Sequence, residues 1–407
     1  MPQERRQTTR WLYGMPFLHG IVYRVSVVLI ACASRVFCRP RLLNMECLPK
    51  EEPYLLLPNH SSMLDPFWVG APIPRGVKAM ASASLFRIPV VGLFLTMVGC
   101  FPKKKFTKDR ESMLTLQEQF DQGYVVLIFP EGNRSWNGET AQITQGIGRL
   151  IKRLDCKVVY ARINSAYLYQ PRWARYPRWV PIEATYDGPH EYDETISVEE
   201  ITADVQEHLT VVPHLKRPAR VWGFRMAHGL PQYLWACPVC YQLDALTVPK
   251  RRGNTIRCQS CEAQWDVDVY SRMSGASDVS VADAFRIIEA HFGSPPVAVS
   301  EDYETDGVAL LAPEGQLLYI PRDKKRPEVE AEGAIQVHRD GFRVVEGTRV
   351  IWEASYDTIR GISVEMANLL HFRIGDRLYR LVIPGDSPLK WDHFLRKWRL
   401  HVVGAEH

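Results

Sequence analysis

The chain has 407 residues, of which 46% are hydrophobic and 24% charged, and its net charge is only +4 at neutral pH. That length is too great for one ordinary core, so two or three domains are expected, and the composition excludes both a disordered chain and a polytopic membrane protein.

Charge is unevenly spread. Residues 1 to 50 hold Arg5, Arg6, Arg10, Arg24, Arg35, Arg39, Arg41 and Lys50 against Glu4 and Glu46, a local excess larger than that of the whole chain. These basic residues flank an apolar segment from Trp11 to Phe37, so the anionic partner expected is a lipid surface and not nucleic acid. Arg24 splits the segment, and the ten residues before Arg35 make only ~15 Å of helix against a ~30 Å hydrocarbon core. Arg24 and Arg35 lie eleven positions apart, close to three helical turns, which fits a helix lying in the membrane interface; an amphipathic helix packed on the following domain is the other open reading. Ala31-Cys32-Ala33 looks like a signal-peptide cleavage site, but an arginine inside the apolar run argues against one.

Tyr54-Leu55-Leu56-Leu57 reads as a buried strand closed by Pro58, and Asn59, Ser61 and Ser62 as candidate caps of a helix beyond. His60 then sits in the turn between strand and helix, where α/β folds keep their chemistry. An imidazole exchanges protons near neutrality, and Asp65 is the nearest carboxylate that can hold one tautomer, so His60 is read as a general base. Some seventy positions later the grammar repeats. Tyr124 to Phe129 reads as a strand and Pro130-Glu131-Gly132 as its turn; Gly132 permits backbone conformations closed to other residues, and Arg134 offers a planar fork for a phosphate.

Together, H-x-x-x-x-D and the later F-P-E-G-N-R-S resemble the glycerophospholipid acyltransferase family, with 1-acylglycerol-3-phosphate acyltransferase as its type member, over roughly residues 45 to 222. The resemblance implies an α/β core in which His60 deprotonates the acceptor hydroxyl, Asp65 orients His60, and Glu131, Gly132 and Arg134 belong to the acceptor-phosphate site. It also implies acyl-CoA or acyl-carrier protein as donor, a lysophospholipid as acceptor and no catalytic metal; the basic, apolar N-terminal segment and the unpaired cysteines lead to the expectation of a peripheral or monotopic place on the cytoplasmic face of a membrane. Asn133 stands where the family usually has Thr. After Gly99-Cys100-Phe101-Pro102 the family's arginine gives way to Lys103-Lys104-Lys105, and Lys104 and Lys105 are the positions read as phosphate contacts, though lysine lacks the bidentate grip of arginine. Thr144-Gln145-Gly146 replaces a Lys-x-Gly, and Val158 to Ile163 replaces a proline-bearing strand.

Gln170 to Trp179 alternates Arg with Trp and Tyr, suiting either a bilayer headgroup region or an irregular loop held by stacked Arg. Next come Cys237-x-x-Cys240 and Cys258-x-x-Cys261, seventeen residues apart, the spacing of a zinc ribbon. Iron in the same ligands and disulfides are the alternatives, but four thiolates around one structural zinc fit best, since they leave no open position for water. Five further cysteines without paired spacing suit a reducing compartment.

Val281 to Phe292 reads as a short helix, and from Val308 the pattern turns to strands: 308–311, 317–320, 335–337, 342–344, 350–352, 359–362, 370–374 and 378–383. A helix from Pro388 to Leu400 ends the pattern, giving a mainly-β region similar in architecture to a pleckstrin-homology-like domain, whose ligand its fold does not choose. Lys324-Lys325-Arg326 fits a solvated loop better than a lipid contact.

The organisation expected is thus a membrane-interface segment at 1–44, an acyltransferase domain at 45–222, a zinc ribbon at 228–270, and a short helix with the mainly-β domain at 278–402. The activity expected is transfer of a fatty acyl group to lysophosphatidic acid, giving phosphatidic acid. The rivals are another lysophospholipid or an acylated amino lipid as acceptor, and a non-catalytic lipid-binding adaptor. From the cysteine spacing, elemental analysis of purified protein should find about one zinc per chain; no zinc, with Cys237 and Cys240 chemically free, would contradict the ribbon.

Overall fold

The computed structural model describes residues 38–73, 76–103, 110–212, 218–293, 307–321, 326–365 and 369–404, with helical positions 21, 25, 28, 29, 32 and 36. It forms two compact units, Met1–Arg172 with Pro177–Gly223, and Trp173–Tyr176 with Phe224–His407.

The first unit is built on seven strands: β1 (Arg41–Leu43), β2 (Leu55–Pro58), β3 (Val77–Ser82), β4 (Phe101–Lys103), β5 (Val125–Leu127), β6 (Val158–Asn164) and β7 (Glu183–His190). Their order in the sheet is β1-β7-β6-β2-β5-β3-β4, parallel throughout except for the antiparallel β6–β7 pair. Leu55, Leu56, Leu57, Val125, Val126 and Leu127 are all fully buried. Continuous apolar runs of this kind, not alternating ones, belong to parallel strands covered on both faces.

Around the sheet lie α1 (Asp65–Gly70), α2 (Pro89–Met97), α3 (Arg110–Asp121), α4 (Gly146–Leu154), α5 (Ala166–Tyr169) and α6 (Val198–Leu209). Ile147, Leu150, Ile151 and Leu154 of α4 join Ile201, Val205 and Leu209 of α6 in the core over β2 and β6. Ser197 and Glu200 close a reciprocal capping box at the start of α6, satisfying backbone N–H groups that a helix start leaves without partners. Two expectations change here. Arg41, Leu42 and Leu43 pair with Glu183, Ala184 and Thr185, so the sheet takes up residues assigned to the 1–44 segment. The helix after His60 begins on Leu64 without a side-chain cap, so Asn59, Ser61 and Ser62 are not its caps.

Most of the Trp11–Phe37 segment, with Arg24 and Arg35, lies outside the described residues. Its described positions Ile21, Val25, Val28, Leu29 and Val36 are all exposed, and their spacing of three, four and seven sets them on one helical face. No described helix is long and apolar enough to cross a membrane.

In the second unit, β8 (Leu246–Thr247), β9 (Thr255–Cys258), β10 (Gln264–Val267), β11 (Arg272–Gly275) and β12 (Val279–Ser280) form an antiparallel sheet in the order β12-β11-β10-β9-β8. After α7 (Leu230–Tyr233), which precedes this sheet, and α8 (Val281–Phe292), which follows it, come β13 (Val308–Ile320), β14 (Glu328–His338), β15 (Gly341–Glu346), β16 (Arg349–Ser355), β17 (Ile359–Glu365), β18 (Leu369–Ile374) and β19 (Arg377–Val382). Their order is β16-β15-β14-β13-β19-β18-β17, all antiparallel, two meanders sharing β13. Residues 308–311 and 317–320, expected as separate strands, are one strand, because Pro313-Glu314-Gly315 is absorbed as a register shift against β14. The final helix α9 (Pro388–Val403) buries Trp391, Phe394, Leu395 and Trp398. At its start the nearly inaccessible Lys390 ammonium lies 2.5 Å from Asp244 and 2.6 Å from Asp386. Lys324 and Lys325 lie outside the described residues, and Arg326 is exposed.

Gly148 tests the α4–α6 packing. A Cβ there would lie 2.6 Å from the Val198 carbonyl oxygen and from Thr202 Oγ1. Gly148→Ala should lower unfolding stability by ~1–3 kcal/mol, read as a lower denaturant midpoint at unchanged slope.

Candidate active site

β2 and β5 are neighbours in parallel register, with Leu55 opposite Val126 and Leu56 opposite Leu127. The loops leaving their C-terminal ends therefore emerge side by side, His60 on one and Glu131 to Arg134 on the other.

Asp65, with none of its surface exposed, uses a single oxygen for three contacts. Its Oδ2 lies 2.9 Å from His60 Nδ1 and accepts the Ser61 and Ser62 backbone N–H groups at 2.7 Å each. A carboxylate is an acceptor, so the Nδ1–H tautomer donates and the Nε2 lone pair is left for a substrate proton. The His60 side chain is 18% exposed, enough to be reached from outside. Phe129 stacks on the imidazole with centroids 3.9 Å apart, fixing the ring plane from the second loop.

Glu131 ties the two loops together. Its Oε1 accepts the His60 N–H at 2.6 Å and its Oε2 the Ala141 N–H at 2.9 Å, while the Ser135 N–H donates to the His60 carbonyl at 2.8 Å. Burial pushes the Glu131 carboxyl from its ordinary 4.5 up to about 7, opposed by the N–H groups of Ala141 and His60. Gly132 is exposed with φ +70° and a Cβ would meet nothing within 4 Å, so only the left-handed backbone asks for glycine. Its N–H donates to the Phe129 carbonyl at 3.1 Å. Arg134 is half-buried; burial lowers its pKa and the nearby Asp65 charge opposes that.

The fold therefore brings His60, Asp65, Glu131, Gly132 and Arg134 to one sheet edge. Lys104 and Lys105 lie outside the described residues, and Lys103 ends β4. Other contributors were read differently or not singled out. Asn59 pins the end of β2 to β6, accepting the Ile163 N–H at 2.6 Å and donating to the Ile163 carbonyl at 3.2 Å. Arg172 is buried over the Trp136 ring at 4.0 Å and donates to the Arg134 carbonyl at 3.2 Å, while Arg178 is also buried. These two arginines of the Arg/Trp stretch thus belong to the protein interior, as the stacked-loop reading had it.

A second constellation lies in the other unit. Sγ of Cys237 and Cys261 are 3.8 Å apart, those of Cys240 and Cys258 3.7 Å, and all four fall within 4.8 Å of one another. A disulfide needs ~2.05 Å, whereas four thiolates at ~2.3 Å from a tetrahedral centre lie ~3.8 Å apart. Backbone N–H groups of Val239 and Ser260 point at Cys237 and Cys258 Sγ at 3.4 Å, and Tyr241 and Glu262, each following a second cysteine, have φ near +60°. Both knuckles share one turn geometry, and the four sulfurs fit a thiolate-bound metal.

The Acyltransferase family model matches residues 39–163. Among curated proteins the chain is similar to the 1-acyl-sn-glycerol-3-phosphate acyltransferase of Saccharomyces cerevisiae, 27% identical over 34% of this chain and 47% of that one. It is also similar to 1-acyl-sn-glycerol-3-phosphate acyltransferase alpha of Homo sapiens, 25% identical over 39% of this chain and 64% of that one. A crystal structure of the 1-acyl-sn-glycerophosphate acyltransferase PlsC from Thermotoga maritima aligns over 50% of this chain and 80% of that one, at 17% identity and a TM-score of 0.37. The match to the first of these relatives spans about half of that protein's length. Residues 39–163 thus carry an acyltransferase-like segment that contains His60, Asp65 and Glu131 to Arg134.

Glu131 yields a signed prediction. Its folded-state value lies above the ordinary 4.5, so the folded chain takes up a proton here, and the associated stability is full below pH 4.5 and lost as pH rises through about 7. An amide nitrogen cannot accept a hydrogen bond, so Glu131→Gln should cost ~1–3 kcal/mol and flatten that part of the stability–pH curve. An unchanged curve, measured by denaturation from pH 4 to 8, would contradict the clamp.

Proposed function

We propose that this chain transfers a fatty acyl group from a thioester donor, acyl-CoA or acyl-carrier protein, to the free hydroxyl of lysophosphatidic acid, giving phosphatidic acid. The observation that carries the reading is the His60–Asp65 pair, its Nδ1 at 2.9 Å from a buried carboxylate oxygen and its ring accessible at the end of β2. Relatives named for the same reaction support the acceptor class.

In the mechanism proposed, His60 Nε2 takes the acceptor hydroxyl proton as the oxygen attacks the thioester carbonyl carbon. The tetrahedral intermediate collapses with C–S cleavage, and His60 returns the proton to the departing thiolate. Asp65 stabilises the imidazolium between the two transfers; a positioned base of this kind contributes ~10²–10⁴ in rate. Arg134 meets the acceptor phosphate with a planar pair of donors, and Lys104 and Lys105 add positive charge. Glu131, whose two oxygens already each accept a backbone N–H, serves the phosphate site by holding its loop in place.

Exposed Ile21, Val25, Val28, Leu29 and Val36, with Val90, Val91 and Leu93 exposed on α2, support attachment to a membrane surface where a lysolipid resides. The four thiolates would hold one structural zinc. The seven antiparallel strands with α9 support a pleckstrin-homology-like fold for the C-terminal region. Lysines in place of an arginine after Phe101-Pro102 favour one second reading, in which the acceptor is another lysophospholipid.

The test is acyl transfer by full-length protein in detergent, with each labelled donor and a panel of lysolipids. Wild type should make phosphatidic acid from lysophosphatidic acid and His60→Ala should lose ~10²-fold or more. Equal rates on phosphate-free acceptors would overturn the acceptor assignment, and an equally active His60→Ala the mechanism.

A further inference from the structure

The first unit holds a third group of chemically capable side chains. Asp187 and His190, on the last stretch of β7, meet His208 from the last turn of α6, and the ligand atoms of the three lie within 4.8 Å of one another. His190 Nε2 is 3.4 Å from Asp187 Oδ1, and His208 Nε2 is 3.4 Å from Asp187 Oδ2. Each imidazole thus faces its own oxygen of one carboxylate, a convergence of two nitrogen donors on an oxygen donor group of the kind that holds a transition-metal ion.

Protonation and orientation are arranged for the same purpose. His208 Nδ1 donates to the Asp204 carbonyl at 2.9 Å, which fixes the tautomer whose Nε2 lone pair faces Asp187. Shielded from water, His190 Nε2 has no hydrogen-bond partner. Tyr160 stacks on His208 with centroids 4.5 Å apart and tilts over His190 at 5.1 Å, so both rings are held. The Asp204 carboxylate is held in turn by the hydroxyls of Tyr192 and Tyr160. A ligand histidine whose other nitrogen donates to a carbonyl, backed by an anchored shell, is the usual support of a bound metal.

The group is separate from the acyl-transfer site. His190 pairs with Val158 at the start of β6, whereas Asn59 binds Ile163 near its end, and at ~3.3 Å per residue the two positions lie ~16 Å apart along the strand.

We infer that Asp187, His190 and His208 form a divalent transition-metal site of two imidazoles and one carboxylate, with a coordination position left to solvent. Imidazole and carboxylate suit zinc, cobalt or nickel, and the half-exposed Asp187 makes this an exchangeable site, unlike the closed four-thiolate one. The metal would clip the end of β7 to the end of α6.

Full-length protein, with its thiolate site already loaded with zinc, is titrated with cobalt(II) and followed by calorimetry and visible absorption. The expected result is one further equivalent, with weak d–d bands and no sulfur charge transfer, and a thermal midpoint raised by the ion. Asp187→Asn should weaken uptake at least tenfold, and His190→Ala should abolish it. Cys240→Ser should leave this equivalent in place. No uptake by wild type beyond the thiolate site would overturn the inference, as would uptake indifferent to both Asp187→Asn and His190→Ala. The wild-type titration decides even where a variant does not fold.

Discussion

One carboxylate oxygen organises the catalytic edge. Asp65 Oδ2 accepts from His60 Nδ1 and from the backbone N–H groups of Ser61 and Ser62, so the turn after β2 is wound around the group that also sets the imidazole tautomer. Local backbone geometry and proton chemistry are therefore one constraint. Glu131 and Phe129 extend it to the neighbouring loop, the first through the His60 N–H and the second through the ring face. Moving either loop disturbs the base, which ties the proposed phosphate site to the proposed chemistry.

How much of this was legible in the sequence depends on how far apart the partners lie. His60 and Asp65 are five residues apart, and the cysteines of each knuckle three apart, so residue type and spacing were sufficient to find them. Asn59 was misread as a helix cap because its partner, Ile163, is more than a hundred positions away and the pairing exists only once β6 lies beside β2. Glu131 stands in the acyltransferase-like motif, but its link to the His60 N–H is not legible there, because a backbone N–H carries no sequence signal. Asp187, His190 and His208 have no motif at all; β7 must fold back on β6 and α6 must cover them before they meet.

The fold followed the same rule. Buried apolar runs announce β2 and β5, and the apolar segments from 335–337 to 378–383 fall on β14 to β19 in turn. The sequence splits β13 because Pro313-Glu314-Gly315 carries turn chemistry, which pairing with β14 on both sides of it overrides. Lys390 was invisible as a structural residue. A lysine at the start of a helix reads as solvated, yet Asp244 and Asp386 draw its ammonium into the interior, where removal of one partner leaves a costly buried charge.

The most direct test of the central assignment is steady-state acyl transfer by Asp65→Asn beside wild type, with binding of the lysolipid measured separately. Asparagine keeps an oxygen acceptor for the turn but removes the charge that stabilises the imidazolium. The expected result is kcat lower by ~10²–10⁴ with acceptor affinity within a few-fold of wild type. A kcat within a few-fold of wild type in a folded variant would contradict the role of Asp65, and with it the reading of His60 as a carboxylate-oriented base.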